Sequence, residues 1–140
     1  MFTRSGSATW QGGLKDGNGT VSTQSGALKE LPYGFNKRFG DEPGTNPEEL
    51  IGAAHASCFS MALANMLSDA GLGGIDIKTT SKITLEKDGD GFTVTKAHLV
   101  TTISADGDKA QIEELAQQAK EGCPISKLLN AEVTMEATVA

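Results

Sequence analysis

The sequence predicts an α+β fold, a mainly antiparallel sheet with two main helices on it. Three features carry that expectation: short β-like pieces cut by glycine at the start, a long uncharged stretch at the centre, and two alternating β-branched runs followed by an amphipathic helix pattern. At 140 residues the chain is expected to form one domain over residues 1–140, large enough to bury a real core.

In chain order, the turn signals Gly12-Gly13, Asp16-Gly17-Asn18-Gly19 and Ser25-Gly26 separate β-like pieces over 9–11, 20–23 and 27–31. These read as an antiparallel meander. A breaker-rich loop over 40–47 leads to "TNPEEL", where Asn46 suits a helix N-cap, Pro47 the first helical position and Glu49 the third position of a capping box. From 50 to 67 apolar or small residues cover nearly every face, which predicts a central helix buried all round and stopped near Ala70 by Gly71. Its small residues, Gly52, Ala53, Ala54, Ala56, Ser57 and Ser60, allow another backbone to come close, from the same chain or from a second copy.

"IDIKTTSKITLEK" and "GFTVTKAHLVTTIS" then alternate as strands do, and Asp88-Gly89-Asp90-Gly91 between them is a hairpin signal. A second helix is expected over 108–121, with Ile112, Leu115, Ala116 and Ala119 at helical spacing and Gly122 ending it. "CPISKLL" suits a further short helical turn before a final strand over 131–139.

Composition narrows the function. A formal net charge of -6 and no cluster of Lys and Arg argue against nucleic acid as a partner. The first residues carry no apolar signal region, and the apolar run over 51–67 falls short of a membrane span, so a soluble cytoplasmic protein is expected. Two cysteines are too few for a secreted disulfide scaffold, leaving incidental, catalytic and metal-binding roles open.

Cys123 precedes Pro124 and can cap the short turn, where free N–H groups favour a thiolate; a plain capping residue fits equally. Cys58 sits mid-helix, where its own helix offers no free N–H and apolar surroundings push a thiol up and make it inert. A reactive Cys58 therefore needs a positive charge from elsewhere in the fold. Arg38, in the mostly uncharged stretch "LPYGFNKRFG", is the candidate, although a surface cation flanked by aromatics is also compatible with it. His55 shares a helix face with Cys58, and a metal set of His55, Cys58, Cys123 and His98 can be written. H-x-x-C matches no established zinc spacing, so neither a metal nor a cofactor is expected. Glu49 completes the capping box, which leaves Glu48 without an assigned partner.

"GTNPEELIGAAHASCFSMAL", with "GCPISKLL" about 65 positions after Cys58, resembles the osmotically inducible protein C and organic hydroperoxide resistance (OsmC/Ohr) family of bacterial peroxidases. Trp10-Gln11-Gly12 and "PYGFNKRF" extend the likeness over nearly the whole chain, and His55 in "AAHASCF" is nearer the OsmC branch. The resemblance implies Cys58 as the peroxidatic residue, Cys123 as the resolving one, and Arg38 with Glu48 as an ion pair beside the reactive sulfur. It also implies an intertwined homodimer with buried central helices, an organic hydroperoxide as substrate and an external dithiol, of lipoyl type, as reductant. A non-catalytic binding module or a thiol redox sensor on the same fold are the competing readings.

Two expectations follow from combining the resemblance with geometry. Glu48 and Cys58 are ten residues apart, about 15 Å along a straight helix, which suggests that the Glu48 beside a given Arg38–Cys58 pair comes from a partner chain. Phe59, Met61, Phe35 and Phe39 suggest an apolar surface that favours bulky hydroperoxides over hydrogen peroxide.

Overall fold

Three short strands open the chain: β1 (Gly6–Gln11), β2 (Asn18–Thr23) and β3 (Leu31–Tyr33), an antiparallel sheet in that order. The computed structural model describes residues 1–140 and divides into two compact units, Met1–Leu50 and Ile51–Ala140. In the first, β1 and β2 pair from Gly6 opposite Thr23 to Gln11 opposite Asn18. Gly19 is obligatory there, because a Cβ would meet the rings of Tyr33 at 2.7 Å and Trp10 at 2.8 Å. Those two rings lie 5.4 Å apart.

The third strand differs from the expected 27–31. Thr23 instead closes a loop, its N–H donating to the Leu28 carbonyl at 2.9 Å and its Oγ1 accepting from the Leu28 N–H at 3.0 Å. Gly26 (φ 81°) and Glu30 (φ 50°) turn the chain through left-handed conformations, so pairing starts only at Leu31. Pro32 lacks an N–H and is tolerated because β3 is an edge strand. A short helix, α1 (Phe35–Phe39), follows; five residues are too few for periodicity to reveal it.

The central helix, α2 (Pro47–Asp69), begins where the capping signal places it. Asn46 Oδ1 accepts from the Glu49 N–H at 2.9 Å, and the Asn46 amide in turn donates to the Glu49 carboxylate. In the second unit β4 (Asp76–Asp88) and β5 (Gly91–Ser104) form the expected hairpin, with Gly89 at φ 61° in the turn. Helix α3 (Lys109–Gly122) is capped by Asp108, whose side chain accepts from the Gln111 N–H, and α4 (Pro124–Leu128) is capped by Cys123. The last strand, β6 (Glu132–Val139), pairs with β5 in parallel. The sheets are thus antiparallel except for one crossover pair, which non-local pairing hides from sequence.

Phe59, Leu63 and Leu67 of α2 join Leu99 and Ile103 of β5, Ile112, Ala116 and Ala119 of α3, and Cys123 in one buried cluster. Burial on α2 is one-sided rather than complete. Gly52, His55, Phe59, Leu63 and Leu67 are buried, whereas Ala53, Ala54, Ser57, Met61 and Asn65 are exposed on the single chain. At 23 residues α2 is also long and apolar enough to cross a membrane by length and composition, contrary to the shorter estimate from the apolar run. Its contacts are those of a core helix: Ser60 Oγ donates to Thr79 Oγ1 of β4 at 2.9 Å, and His55 bonds to Ser81 of the same strand.

Gly52 sets how closely α2 approaches β4, because a Cβ there would stand 2.8 Å from the Ser81 carbonyl oxygen. Gly52→Ala should therefore lower stability by about 1–3 kcal/mol through overpacking, although alanine is the better helix former by about 1 kcal/mol. Urea denaturation tests this; an unchanged or raised midpoint would mean the helix and strand separate without cost.

Candidate active site

Within Met1–Leu50, Arg38 and Glu48 form a forked ion pair. Arg38 Nη2 stands 2.7 Å from Glu48 Oε1, and Arg38 Nε lies 3.2 Å from both carboxylate oxygens. The local sequence explains the meeting. Glu48 occupies the first turn of α2, and the Asn46 amide holds the Lys37 carbonyl at 3.4 Å, tying that turn to α1, which carries Arg38. Glu49 is engaged with the cap, so Glu48 is the carboxylate left for the arginine. Glu48 and Arg38 belong to the same chain, which differs from the expectation of a carboxylate supplied by a partner. The bidentate geometry fixes the plane of the guanidinium.

Arg38 also lies over the Phe39 ring, 5.3 Å from its centroid. A cavity of about 280 Å³ opens here, lined by Trp10, Leu14, Tyr33, Phe35, Arg38 and Phe39 together with Gly34. Its walls are aromatic or aliphatic apart from the arginine. Of the aromatics expected to make an apolar surface, Phe35 and Phe39 are here; Phe59 is not, being fully buried in the core, and Met61 is exposed on α2.

Within Ile51–Ala140 the two cysteines come together. Both are free thiols; Cys123 is fully buried and Cys58 partly so. Burial pushes the Cys58 thiol up, and the neighbouring Cys123 thiol adds to the rise, while a hydrogen bond with the backbone of Ile125 works the other way. That last contact escapes a reading confined to α2: the stabilising backbone group comes from the first turn of α4, set against Cys58 by the fold. Cys123 caps the same turn, its Sγ accepting from the Ser126 N–H at 3.4 Å.

Sequence reasoning undervalued His55. It is fully buried, with Nδ1 at 2.7 Å from Ser81 Oγ and Nε2 at 2.8 Å from Ser126 Oγ. Its partners lie 26 and 71 residues away in sequence, so no local pattern could have indicated them. His98 belongs elsewhere: it bonds to Thr134 at 2.6 Å and is paired with Lys82, whereas the adjacent Ser81 points to His55 from the opposite face of the sheet. The four residues written as a metal set are therefore not one cluster.

The family model described as OsmC-like protein matches residues 40–138. The chain belongs to the OsmC family. It is 51% identical to peroxiredoxin OsmC of Escherichia coli strain K12 over 134 residues, covering 95% of this chain and 94% of that protein. Organic hydroperoxide resistance protein OhrB of Bacillus subtilis is 34% identical over 120 residues, covering 84% and 86% respectively. The crystal structure of OhrB superposes with a TM-score of 0.69 at 27% identity, over 99% of this chain and 98% of that one. The higher identity to the OsmC relative agrees with the branch suggested by His55.

Burial holds His55 below the ordinary imidazole value of 6.5. The unfolded chain takes up a proton there as pH falls through that value, while the folded chain does not. The stability due to neutral His55 is thus complete above the ordinary value and lost as pH falls toward the lowered one. Urea midpoints between about pH 7.5 and 5 should fall more steeply for wild type than for His55→Gln; parallel slopes would show that His55 is not held neutral.

Proposed function

We propose that this chain is a thiol-dependent peroxidase that reduces organic hydroperoxides to alcohols, and hydrogen peroxide less well. It is an enzyme of the peroxidase type, and the single observation that carries the reading is the apposition of Cys58 and Cys123 as free thiols in a member of the OsmC family. Cys58 attacks the terminal peroxide oxygen as a thiolate, the O–O bond breaks, an alcohol leaves and Cys58 becomes a sulfenic acid. Cys123 condenses with it to a disulfide, releasing water, and an external dithiol reduces that disulfide by exchange.

Arg38 supplies the charge that the buried thiol lacks and donates hydrogen bonds to the separating oxygens. Glu48 holds its guanidinium in plane. The aromatic cavity beside Arg38 suits an alkyl or aryl group, which supports a preference for organic hydroperoxides. The expected dithiol is of lipoyl type, and a reducing compartment such as the cytoplasm keeps both thiols reduced between turnovers. No nucleic acid, membrane, metal or cofactor is needed for this chemistry.

The working unit is a homodimer, with the whole of residues 1–140 acting as one functional domain. The exposed apolar side of α2, with Ala54 and Met61 uncovered in the single chain, supports a second copy seated there.

Dithiol-dependent consumption of cumene hydroperoxide should be lost in Cys58→Ser and fall at least a hundredfold in Arg38→Ala, while Cys123→Ser reacts once without turning over. Wild type that consumes neither cumene hydroperoxide nor hydrogen peroxide with any dithiol would leave the binding-module reading. Met61→Arg should dissociate the dimer in sedimentation experiments, and a wild type that sediments as a monomer at micromolar concentration would remove the second copy from the scheme.

A further inference from the structure

A line of hydrogen bonds runs inward from Cys123 that the peroxidase scheme does not use. Cys123 Sγ donates to Ser126 Oγ at 3.1 Å, Ser126 Oγ lies 2.8 Å from His55 Nε2, and His55 Nδ1 lies 2.7 Å from Ser81 Oγ. Cys123 and His55 are fully buried, and Ser126 is 7% exposed. With Nδ1–H donating to Ser81, Nε2 accepts from the Ser126 hydroxyl, whose oxygen accepts from the Cys123 thiol, so the donors all point from Cys123 toward Ser81.

We propose that Ser126 and His55 form a proton relay that ionises Cys123 for its attack on oxidised Cys58, Ser126 carrying the proton and His55 acting behind it as a positioning residue. The inference rests on the peroxidase reading for its physiological step. As the Cys123–Cys58 bond forms, the S–O bond of the sulfenic acid breaks. The Cys123 proton passes to Ser126 Oγ while the Ser126 proton passes to His55 Nε2. Hydroxide leaving Cys58 takes up the proton that the imidazolium returns, so thiol plus sulfenic acid gives disulfide plus water.

Burial leaves the imidazole unprotonated and Nε2 free to accept, and because burial also disfavours the imidazolium, the proton is passed on to the departing hydroxide rather than retained. The ionisable groups facing this network are Cys58 on α2 and Cys123 between α3 and α4. Strand β4 contributes the Ser81 hydroxyl, and α4 contributes the Ser126 hydroxyl; burial is the cause of the His55 shift, with no charged neighbour contributing.

The test uses the full chain and 4,4′-dithiodipyridine. The more accessible Cys58 takes up the reagent and releases one pyridinethione; Cys123 then attacks the mixed disulfide and releases a second, read by absorbance. At neutral pH, Ser126→Ala should slow the second release at least tenfold relative to the first, and Ser126→Thr, which keeps the hydroxyl, should recover most of it. The deficit should shrink as pH rises, because hydroxide in solution takes over the proton acceptance that the relay provides at neutral pH. His55→Gln should show the same pH-dependent deficit. A wild-type second rate in Ser126→Ala, or a deficit of equal size at every pH, overturns the relay. One equivalent of cumene hydroperoxide, with disulfide formation followed by mass spectrometry, is run beside it. If hydroperoxide leaves Cys58 unoxidised while the dithiodipyridine arm shows the pH-dependent deficit, the relay stands and the peroxidase reading fails.

Discussion

A thiol set in the middle of an apolar helix is hard to ionise, and the surroundings of Cys58 follow from that constraint. Its own helix cannot help, because backbone N–H groups there are spent on the helical ladder. Burial and the second thiol both push its pKa up, and within the second unit only the Ile125 backbone opposes them. That group is available because α4 starts beside Cys58, and α4 starts there because Cys123 caps it and Pro124 takes its first position. Cys123 is therefore also what sets that backbone group beside the Cys58 sulfur.

The same helix satisfies two packing demands. Gly52, His55, Phe59, Leu63 and Leu67 recur every three or four residues and turn toward the second unit's core, while Ala53, Ala54, Ser57 and Met61 form a second side of small or flexible apolar groups. A helix with only one such stripe would carry charges on its other face. The absence of charge between Leu50 and Ser68 is what makes α2 resemble a membrane span by composition, and it is equally what a helix needs when a second apolar surface covers it. The hydrogen bonds from Ser60 and His55 to β4 tie the buried side of this helix to the sheet.

What was legible in the sequence was what short-range chemistry determines. Asn46, Asp108 and Cys123 each cap the helix that their neighbours predict, and the Gly89-Asp90 turn closes the hairpin its dipeptide signals. The apposition of the two cysteines came from family resemblance, since spacing alone cannot bring residues 58 and 123 together. Misplacement of β3 has a local cause that is not a propensity: Thr23 reaches across to Leu28 and uses backbone groups that a strand would have needed. The parallel partner of β5 and both partners of His55 depend on contacts far apart in the chain, where periodicity carries no information.

The His55 network also constrains the fold. Every buried side-chain nitrogen and oxygen has a partner, and His55 meets that condition only with Ser81 and Ser126 both in place. Because strand side chains alternate, a one-residue slip of β4 would turn Ser81 away and aim Thr80 or Lys82 at the buried ring. A buried Lys82 ammonium would be costly, and either slip would also turn Ile77, Ile83 and Leu85 outward, so polar and apolar contacts specify one register. Specification of the sheet and the handling of a proton at Cys123 draw on the same two hydroxyls and one imidazole, so substitutions there must be read through step-specific rates rather than through activity alone.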